Sequence, residues 1–129
     1  MLFLCGCGGA ATTQAETVRV TVVWGQVPTG FNGMTYGSGE SDPVVVVSPS
    51  TPTGTLTLLL IHELGHCVGM EHGRDGCAMT PIANGLPCTE ERAWMDAWRS
   101  THTLKIASRP ADLAETVDAA LRLWGFAPE

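Results

Sequence analysis

Residues 62–72 read His-Glu-Leu-Gly-His-Cys-Val-Gly-Met-Glu-His, and no other stretch of the chain constrains its fold as tightly. A helix carries His62 and His66 on one face, four positions and about 5–6 Å of Cβ separation apart. Both imidazoles then reach one ion at a Zn–N distance of about 2.0–2.1 Å. Gly69 stops the helix in the manner of a glycine just past the last turn. The chain can then turn sharply and bring His72 back to the same ion. Three neutral nitrogen ligands leave a fourth position open, which is the pattern of catalytic rather than structural zinc. Glu63 follows the first ligand directly and can face the open side without binding the ion, placed to take a proton from water there. Isolated histidines on a helix are usually plain surface or core residues. Five fixed residues are another matter: with this composition a chance match is on the order of 10⁻⁵.

The flanking sequence supplies a scaffold. Thr17 to Trp24 alternates and is rich in β-branched residues, so it reads as a strand. Residues 28–33 are turn material, 34–36 form a short strand, and 43–48 a buried one. After a Pro- and Ser-rich breaker, Thr53 or Thr55 caps a helix that runs to about Val68 and turns Leu56, Leu59, Leu60, Leu64 and Cys67 to the core. Residues 73–88 read as irregular. Thr89 caps a helix over 89–99 with acids in its first turn, and Pro110 opens another that ends at Trp124 before Gly125. Trp94 and Trp98 share a face of the first of these, which predicts core packing, and His102 reads as a surface residue. Strands come first and helices last, so the class is α+β: a small twisted, mostly parallel sheet packed on the histidine helix, with C-terminal helices, in one domain over residues 15–129.

The chain has 129 residues, a net charge of −6 and only seven Lys and Arg, which argues against nucleic acid or an anionic membrane surface as partner. No apolar run approaches the roughly 18 residues of a membrane span. The segment Leu4-Cys5-Gly6-Cys7 resembles a lipobox, with Cys7 as the residue to be lipidated; a basic n-region is absent, and residues 1–14 are set aside as a residual signal-like N-terminus. That reading makes the protein exported, with a lipid anchor as its only link to a membrane. Export favours a disulfide. Cys77 and Cys88 would close a loop after the third histidine, and Cys67 competes for either partner.

The segment 62–72 is similar to the HExxHxxGxxH signature of the metzincin zinc metallopeptidases. Gly76-Cys-Ala-Met-Thr-Pro81 resembles the Met-turn of that family, with Met79 as the floor beneath the zinc. Within the family the chain is most similar to the matrixin branch, in a bacterial exported form: Met-Thr-Pro resembles its Met-x-Pro turn, Asp112 to Gly125 its closing helix, and Met34 to Tyr36 the edge strand to which extended substrate adds. The resemblance implies a zincin-like catalytic domain and a monomeric zinc endopeptidase acting on proteins or peptides. Within it, His62, His66 and His72 would bind zinc, Glu63 would be general base, and Tyr36, Thr80, Pro81 and Ile82 would line the substrate cleft. Calcium accompanies many matrixin relatives, but Glu40-Ser-Asp42 is too thin a loop to hold it. Two departures stand out. The family's N-terminal helix and first strands have no counterpart, as in an N-terminally truncated form, and residues 82–109 exceed the usual link to the last helix. A non-catalytic zinc- or peptide-binding relative, and a fragment of a larger protease, are the rival readings.

Overall fold

The computed structural model describes residues 16–73 and 77–127. Strand β1 (Glu16–Trp24) is the centre of a four-stranded sheet. It pairs parallel with β3 (Val44–Val47) on one side and parallel with β4 (His102–Ser108) on the other; β2 (Gly33–Tyr36) lies antiparallel to β3 at the edge, giving the order β2-β3-β1-β4. Three helices complete the fold: α1 (Leu56–Cys67), α2 (Thr89–Arg99) and α3 (Ala114–Trp124). The class is α+β, with a small mixed sheet.

Period-2 alternation decides which face of the sheet is covered. Val18, Val20 and Val22 of β1, Val45 and Val47 of β3 and Leu104 of β4 all turn inward. They pack in one cluster with Leu59, Leu60, Ile61 and Leu64 of α1 and with Val117, Ala120, Leu121 and Trp124 of α3. Helix α1 is thus sandwiched between sheet and α3, and every residue from Leu59 to Gly65 is buried. Trp124 locks the two helices by donating its indole N–H to the Ile61 carbonyl at 2.8 Å.

Strand β4 is the element that sequence reasoning missed. The over-long link after the histidines contains both α2 and β4, and β4 fills the sheet position beside β1 over the register Glu16↔His102 to Val20↔Ile106. A segment that follows the histidine helix therefore supplies the fourth strand.

Helix ends differ in detail from expectation. Thr55 occupies the N-cap position of α1, but its hydroxyl makes no capping bond to the helix. A 3₁₀ turn spans Thr53–Thr55, and the Thr55 hydroxyl turns back to the Pro52 carbonyl at 2.8 Å. The N-cap of α2 is Cys88 rather than Thr89. Trp94 is 43% exposed and so is not a core residue; Trp98 is half-buried and stacks on His102, ring centroids 4.6 Å apart.

A candidate metal centre

The end of α1 is built as the sequence implies. Gly69 has φ +100°, in the left-handed region. Its N–H bonds the His66 carbonyl and the Met70 N–H bonds the Gly65 carbonyl, both at 3.0 Å, the paired bonds of a Schellman stop. The Ser38 hydroxyl, from the loop after β2, satisfies the His66 carbonyl as well, at 2.5 Å. With the helix closed this way, the chain from Met70 onward folds back across it.

The three histidines converge. Ring centroids lie 4.7 Å apart for His62–His66, 5.1 Å for His62–His72 and 4.9 Å for His66–His72. One nitrogen from each falls within 4.8 Å of the others, so the three can hold a metal ion. The tautomers test the fit. His62 Nδ1 lies 2.9 Å from the Ala78 carbonyl and His66 Nδ1 lies 2.8 Å from the Met70 carbonyl. A carbonyl oxygen only accepts, so each Nδ1 carries its proton, and in a neutral ring each Nε2 then presents a lone pair. Those two Nε2 atoms face each other at 3.1 Å. Bare lone pairs at that distance repel, whereas a tetrahedral ion bonded at about 2.0–2.1 Å sets its ligands about 3.3 Å apart. Burial lowers the pKa of His62 to about 4, against the opposing pull of its bond to Ala78, with the neighbouring histidines adding to the fall. His72, on the exposed return loop, is also lowered, by partial desolvation and then by His66. Neutral imidazoles are what a metal requires.

Glu63 is buried, and its Oε1 accepts the Thr35 hydroxyl of β2 at 2.5 Å. Burial raises its pKa; the Thr35 bond and the nearby His66 oppose the rise. The carboxylate therefore sits between α1 and the edge strand, on the residue next to His62. Cys67, one helical turn further on, is a buried free thiol whose pKa burial pushes up, so it takes no part in a disulfide or in thiolate chemistry.

Met79 lies beneath the histidine helix and is 1% exposed. Gly65 makes room for it: a Cβ there would overlap the Met79 sulfur and stand 3.0 Å from its Cε and 3.3 Å from Trp124 Cζ2. In the pattern HExxHxxGxxH, Gly65 stands at an unspecified position, so the pattern carries no sign of this constraint. The Met79 turn is fastened to α2 in two ways. Cys77 and Cys88 form a disulfide, with Cα atoms 5.3 Å apart. Glu91, at the third position of α2, accepts the backbone N–H of Ala78 at 2.9 Å and of Cys88 at 3.1 Å on Oε1, and that of Met79 at 2.9 Å on Oε2. Sequence reasoning saw Glu91 only as an acid complementing the helix dipole.

The residues read as cleft lining are dispersed in character. Tyr36 is 51% and Ile82 76% exposed, and Pro81 is exposed too, whereas Thr80 is buried with no partner for its hydroxyl among the described residues. Of that set, Tyr36, Pro81 and Ile82 offer surface to a ligand and Thr80 does not. His102 is half-buried, stacked on Trp98 with its Nε2 3.6 Å from Glu16, and makes no contact with the histidine cluster. Cys7 lies outside the described residues.

Comparison with protein-family models, with curated proteins and with solved structures finds no match to this chain.

Proposed function

We propose that the chain is a zinc-dependent endopeptidase of zincin-like, metzincin type, closest in character to matrixins. The observation that carries the reading is the convergence of His62, His66 and His72, with the Nδ1 protons of His62 and His66 held by backbone carbonyls, beside a buried carboxylate on Glu63. The surroundings support it: an antiparallel edge strand flanks the histidine helix on one side and a buried methionine turn lies under it on the other.

His62, His66 and His72 would hold the ion. When bound, zinc supplies Lewis acidity, polarising a peptide carbonyl and lowering the pKa of a water at its open position toward about 7. Glu63 would accept the proton of the water that attacks the carbonyl carbon. With its pKa raised by burial, Glu63 can hold the proton and deliver it to the departing amine nitrogen. Thr35 fixes the carboxylate through its 2.5 Å bond, so the general base is aimed by the edge strand itself. An extended peptide would add along β2, main chain to main chain, which places the scissile bond across α1. Tyr36 on β2, and Pro81 and Ile82 just after Met79, are exposed and would line the cleft.

The Cys77–Cys88 disulfide supports an exported protein, since such bonds persist in oxidising compartments. No helix of the described residues is long and apolar enough to cross a membrane. The test is Glu63→Ala. It should retain one zinc per chain and lose about 10²–10⁴-fold in peptide hydrolysis. Zinc-loaded wild-type protein that cleaves nothing in a broad peptide library, or a Glu63→Ala variant that still cleaves, would overturn the assignment.

A further inference from the structure

The peptide group joining Ala78 to Met79 is bonded at both ends. Its carbonyl accepts His62 Nδ1–H at 2.9 Å, and its N–H donates to Glu91 Oε2 at 2.9 Å. The two bonds act on one conjugated amide. A carboxylate on the N–H side pushes electron density toward the oxygen, and a more negative oxygen is a better acceptor for the imidazole proton; hydrogen-bonded chains polarise one another in this way. The other Glu91 oxygen takes the N–H groups of Ala78 and Cys88, so the carboxylate has no freedom to swing away. The Cys77–Cys88 disulfide closes the same loop.

We infer that Glu91 is a positioning residue for the metal ligand His62, acting across the Ala78–Met79 peptide as an amide-bridged equivalent of the carboxylate that orients and strengthens many metal-bound histidines. Direct carboxylate–histidine pairs of that kind are worth about 10–100-fold in metal affinity. Here the carboxylate comes from α2, an element remote from α1 in sequence, and one residue does two things. It sets the height of the Met79 floor, and it holds His62 in the tautomer that offers Nε2 to the ion. For His66, whose Nδ1 bonds the Met70 carbonyl of the return loop, no such carboxylate relay is found among the described residues. The inference rests on the metal-binding part of the proposed function and not on peptide hydrolysis.

The experiment measures zinc affinity by competition with a chromophoric chelator, in wild type, Glu91→Gln, Glu91→Asp and the charge control Glu115→Gln. It also follows the His62 and His66 Nδ1–H resonances in the zinc-loaded proteins. Glu91→Gln should weaken zinc binding by about tenfold or more and move the His62 resonance upfield while leaving that of His66 in place; Glu115→Gln should change neither. Glu91→Asp keeps the charge at the helix start but shortens the reach to the Met79 N–H, and should fall between, which keeps the test alive if Glu91→Gln does not fold. Unchanged zinc affinity in the folded variants overturns the inference. So does weakened affinity with an unmoved His62 resonance, which would make Glu91 a helix cap only. Wild-type protein that binds zinc without cleaving peptides overturns the proposed enzyme and leaves this inference to be judged on affinity. Wild-type protein that binds no zinc overturns both.

Discussion

Gly65→Ala separates this packing from an ordinary helix more sharply than any ligand substitution. In an exposed helix interior the change from glycine to alanine stabilises by about 1 kcal/mol. Here the added methyl would overlap the Met79 sulfur and crowd Trp124 Cζ2 at 3.3 Å, and both side chains are at most 1% exposed. Overpacking of a filled core costs about 1–3 kcal/mol. Direct overlap with the Met79 sulfur sets this site in the upper part of that range, about 2–3 kcal/mol, and less the propensity gain of about 1 kcal/mol the expected outcome is a net loss of about 1–2 kcal/mol. For a chain of this length that lowers the melting temperature by about 3–8 °C. The assay is thermal unfolding of the metal-free protein by circular dichroism, within a double-mutant cycle. Met79→Ala alone should cost about 2–5 kcal/mol by cavity formation. Combined with Gly65→Ala it should cost less than the sum by about 1–3 kcal/mol, because the new methyl then has space. A Gly65→Ala protein as stable as wild type, or two losses that simply add, would refute the claim that Met79 is wedged under the histidine helix.

Other outcomes follow from the same geometry. Unfolded His62 takes up its proton near the usual value of about 6.5, and folded His62 only near 4. Between those values the unfolded chain binds more protons, so metal-free protein should lose stability as pH falls from 6.5 toward 4. Glu63, raised by burial, works in the opposite direction above its ordinary value, so the slope is best read in a Glu63→Gln background, where its absence would contradict the buried, neutral His62. Thr35→Val removes a donor to the charged form of Glu63 and, for the proposed peptidase activity, should shift the acid limb of the pH profile to higher pH; a shift to lower pH would show that the bond does not favour the carboxylate. Opening the Cys77–Cys88 link by paired alanine substitution removes a closure of about a dozen residues, with an expected loss of about 3 kcal/mol in chemical denaturation. An unchanged denaturation midpoint would mean that Glu91 alone holds the turn.

Local signals made the metal-site helix legible. Gly69 ends α1 where a glycine stop belongs, and the i,i+4 spacing sets His62 against His66. The alternation of Thr17 to Trp24 announced β1 within one residue of its start. What stayed hidden depends on partners far along the chain. His102 to Ser108 carries its own alternation, with apolar Leu104 and Ile106 alternating with polar Thr103 and Lys105, yet a short run between helices reads as a link until β1 is known to want a parallel neighbour. Glu91 looks like any acid at a helix start, and nothing local tells that Ala78 and Met79 hang from it. Gly65 looks free because its constraint is the volume of Met79, fourteen positions away. The burial of Thr80 and the exposure of Trp94 are likewise decided by tertiary packing and not by helical period.

The parallel pairing of β1 with β4 has a consequence for biosynthesis. Trp24 and His102 bound a span of 77 residues, 25–101, so a nascent chain presents one bare edge of its central strand while everything between, the histidine helix included, is still being made. At ordinary synthesis rates that interval lasts roughly 4–16 s. An unpaired, valine-rich edge is a template for pairing with other chains. The arrangement thus leaves β1 paired on one side only until the segment after the histidine helix has been made, and it makes β1 the place where a chaperone would have most to shield.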